Sequence, residues 1–191
     1  RISGPLRQMH QHNLIHGDIK PGSIFVHHDA TCRLCSFGLS CGTSDAFSQS
    51  RLAASGGTPA YMSPEHTTRT RRAVDSRSDL YSLGIVLYEL LTGRLPFELS
   101  ADDQTNWAHY HIASEPLAPG RVRPDVPGML STIILKLLEK NPENRYQTVD
   151  GLIADLRRCQ ATLTVEGEIV DFIPGQQDRS PAIHLADSLF S

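Results

Sequence analysis

The longest greasy stretch of this sequence, LYSLGIVLYELL, is interrupted by Ser82, Gly84, Tyr88 and Glu89. It falls well short of the about 20 apolar residues that a bilayer crossing requires, so no membrane role is expected. Lysine and arginine together number 18 against 21 aspartates and glutamates. The chain therefore lacks the overall positive field that drives binding to phosphate backbones or anionic lipid, and nucleic acid is not an expected partner. Four cysteines in 191 residues are few, and their placement suggests no disulfide framework, which points to a reducing compartment. Cys32 and Cys35 form a CxxC, yet there is no second CxxC and no pair of histidines at ligand spacing. On a strand, residues three apart also face opposite ways, so half-buried thiols are expected there and no metal site. An initiator methionine and a charged-then-apolar leader are both missing from the opening RISGPL, which reads as a piece of a longer polypeptide.

What is present suffices for one sizeable core, with 39% hydrophobic and 20% charged residues. Leu6 and Met9 share a face of a helix expected to begin at or before the first residue and to end near Asn13. Ile24 to His27 and Thr31 to Cys35 read as two strands joined by His28, Asp29 and Ala30, which is hairpin spacing. From Ser36 to about Thr58 the composition is Ser, Gly, Thr and Ala, a long loop. Leu80, Leu83, Leu87, Leu90 and Leu91 recur at helical spacing, with Ile85 and Val86 on other sides. They predict a buried central helix over 79–92 that stops at Thr92-Gly93. Asp102 or Asp103 is expected to cap a helix running to about Ile112, followed by a loop with three prolines before Asp125. Leu130, Ile133, Ile134, Leu137 and Leu138 mark an amphipathic helix closed by Asn141-Pro142. Thr148 is the expected cap of a last helix burying Leu152, Ile153, Leu156 and Cys159. Beyond about Leu163, Gly, Pro, Gln and Asp predominate, so 164–191 is expected to be linker or tail after a globular unit over 1–163. The fold class is mainly α with a small β-hairpin.

Residues 16–26, HGDIKPGSIFV, resemble the catalytic loop of protein kinases, His-Arg-Asp followed by Leu, Lys, Pro and an Asn five positions after the Asp. Further matches follow in order: SFG at 36–38 for Asp-Phe-Gly, GTPAYMSPE ending at Glu65 for Ala-Pro-Glu, DLYSLG at 79–84 for the start of the central helix, and Arg145 within NPENRYQT. The resemblance implies a kinase large lobe (α+β), with an activation segment over 36–65. It implies that Asp18 accepts the proton of a substrate hydroxyl and that Lys20 steadies the transferring phosphoryl group. Lys20 together with Thr58 resembles the serine/threonine branch. His16 and Phe37 are implied to stack structurally, Asp79 to hold the catalytic-loop backbone, and Glu65 and Arg145 to form a buried ion pair.

The departures bear on chemistry. Kinases hold magnesium with the Asp of Asp-Phe-Gly and the Asn of the catalytic loop; here those places hold Ser36 and Ser23. Lys20, Ser23 and Ser36 are the residues expected to face a cofactor, ATP by resemblance, while neutral hydroxyls make a poor seat for magnesium. Gly17 stands where the family has an arginine that grips an activation-segment phosphate. Ser40, Thr43, Ser44, Ser48 and Ser50 read as an exposed polar loop rather than a regulatory code. No Gly-x-Gly-x-x-Gly loop or Val-Ala-x-Lys strand precedes Arg1, so the small lobe that covers ATP is expected to be missing from this piece. The RTRR of 69–72 and the histidines His109 and His111 are expected to be solvated. Three phrases, HGDIKP, the run from Ser63 to Phe97 and the tail DFIPGQQDRS, resemble the kinase-like module of hybrid sensor histidine kinases. That implies a signalling role in the cytoplasm, beside other domains of one longer chain. The expected function is a catalytically impaired kinase lobe acting as a nucleotide-sensing or scaffold module with a protein partner. An active serine/threonine kinase acting on a protein substrate is the alternative, and a docking platform without nucleotide a second one.

Overall fold

The computed structural model describes residues 2–42, 57–67, 69–70, 72–97 and 106–178. Helix α1 spans Ser3–Gln11 and buries Leu6, so it starts inside the chain rather than at or before its first residue. Strand β1, Leu14–Ile15, leads into the loop of residues 16–23. Strands β2, Ile24–Val26, and β3, Cys32–Leu34, then form the expected hairpin, with Ile24 opposite Leu34 and Val26 opposite Cys32. Its turn is closed by Asp29, whose Oδ1 accepts from Thr31 N at 2.8 Å and Thr31 Oγ1 at 2.7 Å, and Ala30 takes a left-handed φ of +61°. A second antiparallel pair was not legible in the sequence: β1 pairs with β4, Cys41–Gly42. Two-residue strands leave no periodicity to read.

The central helix α2, Ser76–Thr92, begins three residues before the expected start, because Asp75 caps it by accepting from Arg77 N at 2.8 Å. Gly93 ends it at φ +76°. Leu80, Tyr81, Leu83, Ile85, Val86 and Tyr88 are buried, but Leu90 is 68% exposed and is no part of the core. Helix α3, Trp107–Ala113, follows; Asp102 and Asp103 lie outside the described residues. The proline-rich stretch is not all loop, since Pro119 opens a short helix α4, Pro119–Val122. Helix α5, Gly128–Leu137, stops before Asn141-Pro142, and Asn141 instead caps the 3-10 turn Pro142–Asn144. Thr148 caps α6, Val149–Glu166, by accepting from Gly151 N at 2.9 Å. The stretch expected to be linker from 164 continues α6 to Glu166, and Ile169 and Phe172 then return to pack against the core. No described helix is long and apolar enough to cross a membrane.

Helices α2 and α5 pack closely at Gly84, where an added Cβ would lie 2.8 Å from Leu137 Cβ and 3.1 Å from Leu138 Cδ2. Leu137 Cβ is fixed to its backbone, so the helices must separate to admit a methyl group. Overpacking of this kind costs about 1 to 3 kcal/mol, and the better helix propensity of alanine returns only about 1 kcal/mol. Gly84→Ala is expected to lower the Tm; an unchanged Tm would show that the helices spread freely.

Candidate functional site

The loop between β1 and β2 is built on one buried carboxylate. Asp79, in the first turn of α2, accepts from His16 N at 2.8 Å, from Gly17 N at 2.9 Å and from His10 Nε2 at 2.9 Å. Gly17 sits at φ +81°, a left-handed conformation that costs other residues. Burial pushes the Asp79 carboxyl up, but His10 and the two backbone N–H groups outweigh it and hold it below the usual carboxylate range. The His16 ring is buried, donates from Nε2 to Cys35 O at 2.9 Å and accepts Asp18 N at Nδ1, 3.2 Å. Phe37 lies against it with ring centroids 5.3 Å apart, as expected, although 51% of Phe37 is exposed. His10 escaped the sequence reading; its one signal was its place four residues after the buried Leu6.

Asp18, Lys20 and Thr58, 40 positions apart at the extremes, meet. Lys20 Nζ lies 2.5 Å from Asp18 Oδ2 and donates to Thr58 Oγ1 at 2.7 Å, while Asp18 Oδ1 accepts from Thr58 N at 2.9 Å. Gly57, at φ +58°, allows this approach, since a Cβ there would stand 3.1 Å from Asp18 Oδ1 and 3.2 Å from Gly17 O. Partial burial raises the Asp18 carboxyl, but the bonds from Lys20 and Thr58 prevail and it lies below its ordinary value. Asp18 is thus ionised at neutral pH and able to accept a proton.

The two serines are placed differently. Ser23 is fully buried at the end of the 3-10 turn Pro21–Ser23, and its hydroxyl is committed to its own loop, donating to Lys20 O at 2.9 Å and accepting from Lys20 N at 3.0 Å. Ser36 is exposed at φ +67°, with Cys35 Sγ 3.5 Å from its hydroxyl. Cys35 N donates to Ser23 O at 3.0 Å, which sets the two serine positions on neighbouring chain segments. Ser40 is half-buried and donates to His16 O at 3.2 Å; Thr43, Ser44, Ser48 and Ser50 lie outside the described residues. Cys32 and Cys35 are free thiols, and no three His, Cys, Asp or Glu side chains cluster as a metal cage among the described residues.

The segment after Thr58 is tied down at three points. Tyr61 donates to Glu89 Oε2 on α2 at 2.6 Å. The Glu65 carboxylate meets Arg145 at 2.9 Å, both side chains buried at 1% and 0% exposure. Arg145 also donates to the backbone oxygens of Glu139, Arg77 and Lys140, with its guanidinium 4.8 Å from the centre of the Tyr81 ring. The third tie corrects an expectation: His109 is exposed, but His111 is fully buried rather than solvated. His111 Nε2 donates to Pro59 O at 2.9 Å, Nδ1 accepts Tyr81 OH at 3.1 Å, and the ring stacks on Trp107. Trp107 and His111 are four apart on α3, so they share a face, and the sequence signal was that aromatic spacing. In the basic run, Arg72 is exposed but donates to Asn141 Oδ1 at 2.6 Å, and Arg71 lies outside the described residues.

Comparison with known proteins accords with this geometry. The protein kinase domain family matches residues 1–155. The serine/threonine-protein kinase PknB of Mycolicibacterium smegmatis is 42% identical over 150 residues, covering 78% of this chain and 23% of that protein. PknB of Mycobacterium leprae is 40% identical over 152 residues, 80% of this chain and 24% of the relative. A probable serine/threonine-protein kinase of Streptomyces coelicolor is 36% identical over 155 residues, 81% and 22%. The chain thus spans less than a quarter of the length of these relatives.

Two outcomes follow from the ties. Arg145→Ala strands a buried carboxylate and should cost about 3 to 5 kcal/mol; thermal unfolding equal to the parent would show that Glu65 finds water. The His111 imidazole is lowered from 6.5 to about 4, first by burial and then by the nearby Lys140 and His66 charges, against the Pro59 carbonyl. The unfolded chain takes that proton first, so stability is complete above about pH 6.5 and falls as the pH approaches about 4. The His111 share should be on the order of 2 kcal/mol by pH 5. Urea unfolding at about pH 7.5 and pH 5 should show a smaller loss in His111→Phe than in the parent.

Proposed function

This chain belongs to the protein kinase family, and from that premise we propose that it is a serine/threonine-type large lobe with an assembled acceptor site and a weakened metal seat. The carrying observation is the cluster in which Lys20 bridges Asp18 and Thr58 at 2.5 and 2.7 Å. In this reading a protein hydroxyl donates to Asp18, whose ionised carboxylate takes its proton as the oxygen bonds to phosphorus and the bond to the leaving diphosphate breaks. Lys20 sits where it offsets negative charge on the transferring group. Thr58 holds both groups and ties them to the segment that would face the acceptor.

ATP is the donor that the family implies, and magnesium would supply positive charge to offset that of its phosphates. The donor set fits that ion poorly. Magnesium prefers carboxylate and phosphate oxygens in octahedral array, whereas Ser23 spends its hydroxyl on the Lys20 peptide and Ser36 brings a neutral one. The carboxylate of the cluster, Asp18, is already engaged by Lys20 and Thr58. This supports an impaired kinase, a nucleotide-sensing or scaffold module for a protein partner. The exposed apolar side chains Phe25, Val26 and Phe37 beside the loop suit a covering small lobe. The finer placement, as the kinase-like module of a hybrid sensor histidine kinase, rests on the phrases at 16–21 and 63–97 and on the tail. The active serine/threonine kinase reading is favoured by the intact Asp18, Lys20 and Thr58 cluster and by the names of the relatives.

The readings separate on the full-length protein. ATP binding that is indifferent to magnesium, with phosphorylation of a protein acceptor at background in both the parent and Asp18→Asn, is the expected result. Magnesium-dependent turnover that Asp18→Asn abolishes would establish the active kinase, and absence of ATP binding would leave a docking platform.

A further inference from the structure

Residues 169–178 lie beyond the part of the chain that matches the kinase family, yet they touch the lobe at Ile169, Phe172, Gly175 and Asp178. Phe172 N donates to Met129 Sδ at 3.4 Å, and the Arg158 guanidinium covers the Phe172 ring at 4.4 Å. Gly175 N donates at 2.6 Å to Asp155 Oδ2, the oxygen that also accepts Tyr146 OH at 2.6 Å. Gly175 has φ +77°, and a Cβ there would stand 2.7 Å from Lys136 Cε. Asp178 then closes on the start of α6. Its Oδ1 accepts from Thr148 N at 3.1 Å and from Thr148 Oγ1 at 2.7 Å, and Oδ2 accepts from Gln147 N.

Sequence and geometry agree that this seat is built. Glycine inside a helix costs about 1 kcal/mol relative to alanine, yet α6 carries Gly151 in its first turn, where a Cβ would collide with the Asp178 side chain. A carboxylate at the start of an 18-residue helix also complements its dipole. Thr148 relays the contact inward, since the hydroxyl that donates to Asp178 accepts from Gly151 N.

We propose that residues 169–178 are a docked strap that couples the chain following Asp178 to the segment holding the candidate site. The connection is physical and short. Gln147, whose N–H Asp178 holds, donates from Nε2 to the carbonyls of Pro142, Glu143 and Arg145 and accepts from Arg77 Nη1. Residues 142–148 therefore form one cross-linked piece, with Asp178 at one end and the buried Arg145 to Glu65 pair at the other. Docking holds Arg145 in place beneath Glu65. Release deprives two backbone N–H groups of their charged acceptor and frees the piece that carries Arg145, so tension or a binding event beyond residue 178 reaches the segment from Thr58 to Glu65. The proposal stands whether or not the site transfers phosphoryl groups.

Hydrogen exchange on the full-length protein tests it. Asp178→Ala is expected to speed exchange at the Gln147 and Thr148 amides roughly tenfold or more, as loss of a charged acceptor implies, and to speed it measurably at residues 63–67, with the centre of α2 unchanged. Gly151→Ala, which evicts Asp178 without removing its charge, should give the same pattern, and Asp171→Ala, an exposed acid of the strap, should give none. Unchanged exchange at 147–148 in both test variants would overturn the docking. Faster exchange there with residues 63–67 unmoved would overturn the coupling, as would a rise spread over α2 or an equal effect of Asp171→Ala.

Discussion

A carboxylate with almost no access to water, Asp79, organises the molecule. It gathers two backbone N–H groups and the His10 ring at 2.8 to 2.9 Å, and a buried charge is stable only when it is satisfied in this way. Because it stands in the first turn of α2, the helix that most of the core packs around, the loop of residues 16–23 inherits the rigidity of the core. The His16 ring extends that order by bonding Cys35 O on one side and Asp18 N on the other. Asp18 is therefore aimed by packing rather than by its own loop.

The second half of the site arrives from the far side of the sequence and is held by different chemistry. Thr58 reaches Asp18 and Lys20 because the following residues are fixed by Tyr61 to Glu89, by His111 to Pro59 and by Glu65 to Arg145. Two of these anchors stand on helices after the segment they hold, so assembling Asp18, Lys20 and Thr58 depends on the whole helical body. Burial keeps His111 neutral, which lets it donate on one edge and accept on the other. The Glu65 carboxylate oxygens and His66 Nε2, buried side by side in sequence, lack a well-aligned hydrogen bond among the described residues. The Arg145 charge, at 2.9 Å, is what keeps that region of the interior tenable.

Much of the fold was legible. Helical spacing of leucines located α2 and α5, Thr148 marked the start of α6, and the turn residues between Val26 and Thr31 defined the hairpin. Short elements were not: β1 with β4 and the helix at Pro119 have too few residues to show a period. His111 read as surface because its spacing from Trp107 was the one local signal, while Tyr81 and Phe97, which also bury it, come from distant parts of the chain. The tail read as linker because Gly, Pro, Gln and Asp suit a loop, and those residues suit a docked turn equally well.

By itself the sequence determined the order of the motifs, the apolar periods of α2, α5 and α6, and the presence of serine at positions 23 and 36. These are properties of residue type and spacing, which local chemistry and helical period express directly. Only the tertiary structure decided that the Ser23 hydroxyl is spent on Lys20, that His111 props the segment beside Thr58, and that Asp178 accepts from the N–H groups of Gln147 and Thr148, just ahead of α6. Such choices turn on which donors are left without water once the chain is packed, and that accounting exists only after distant segments have met.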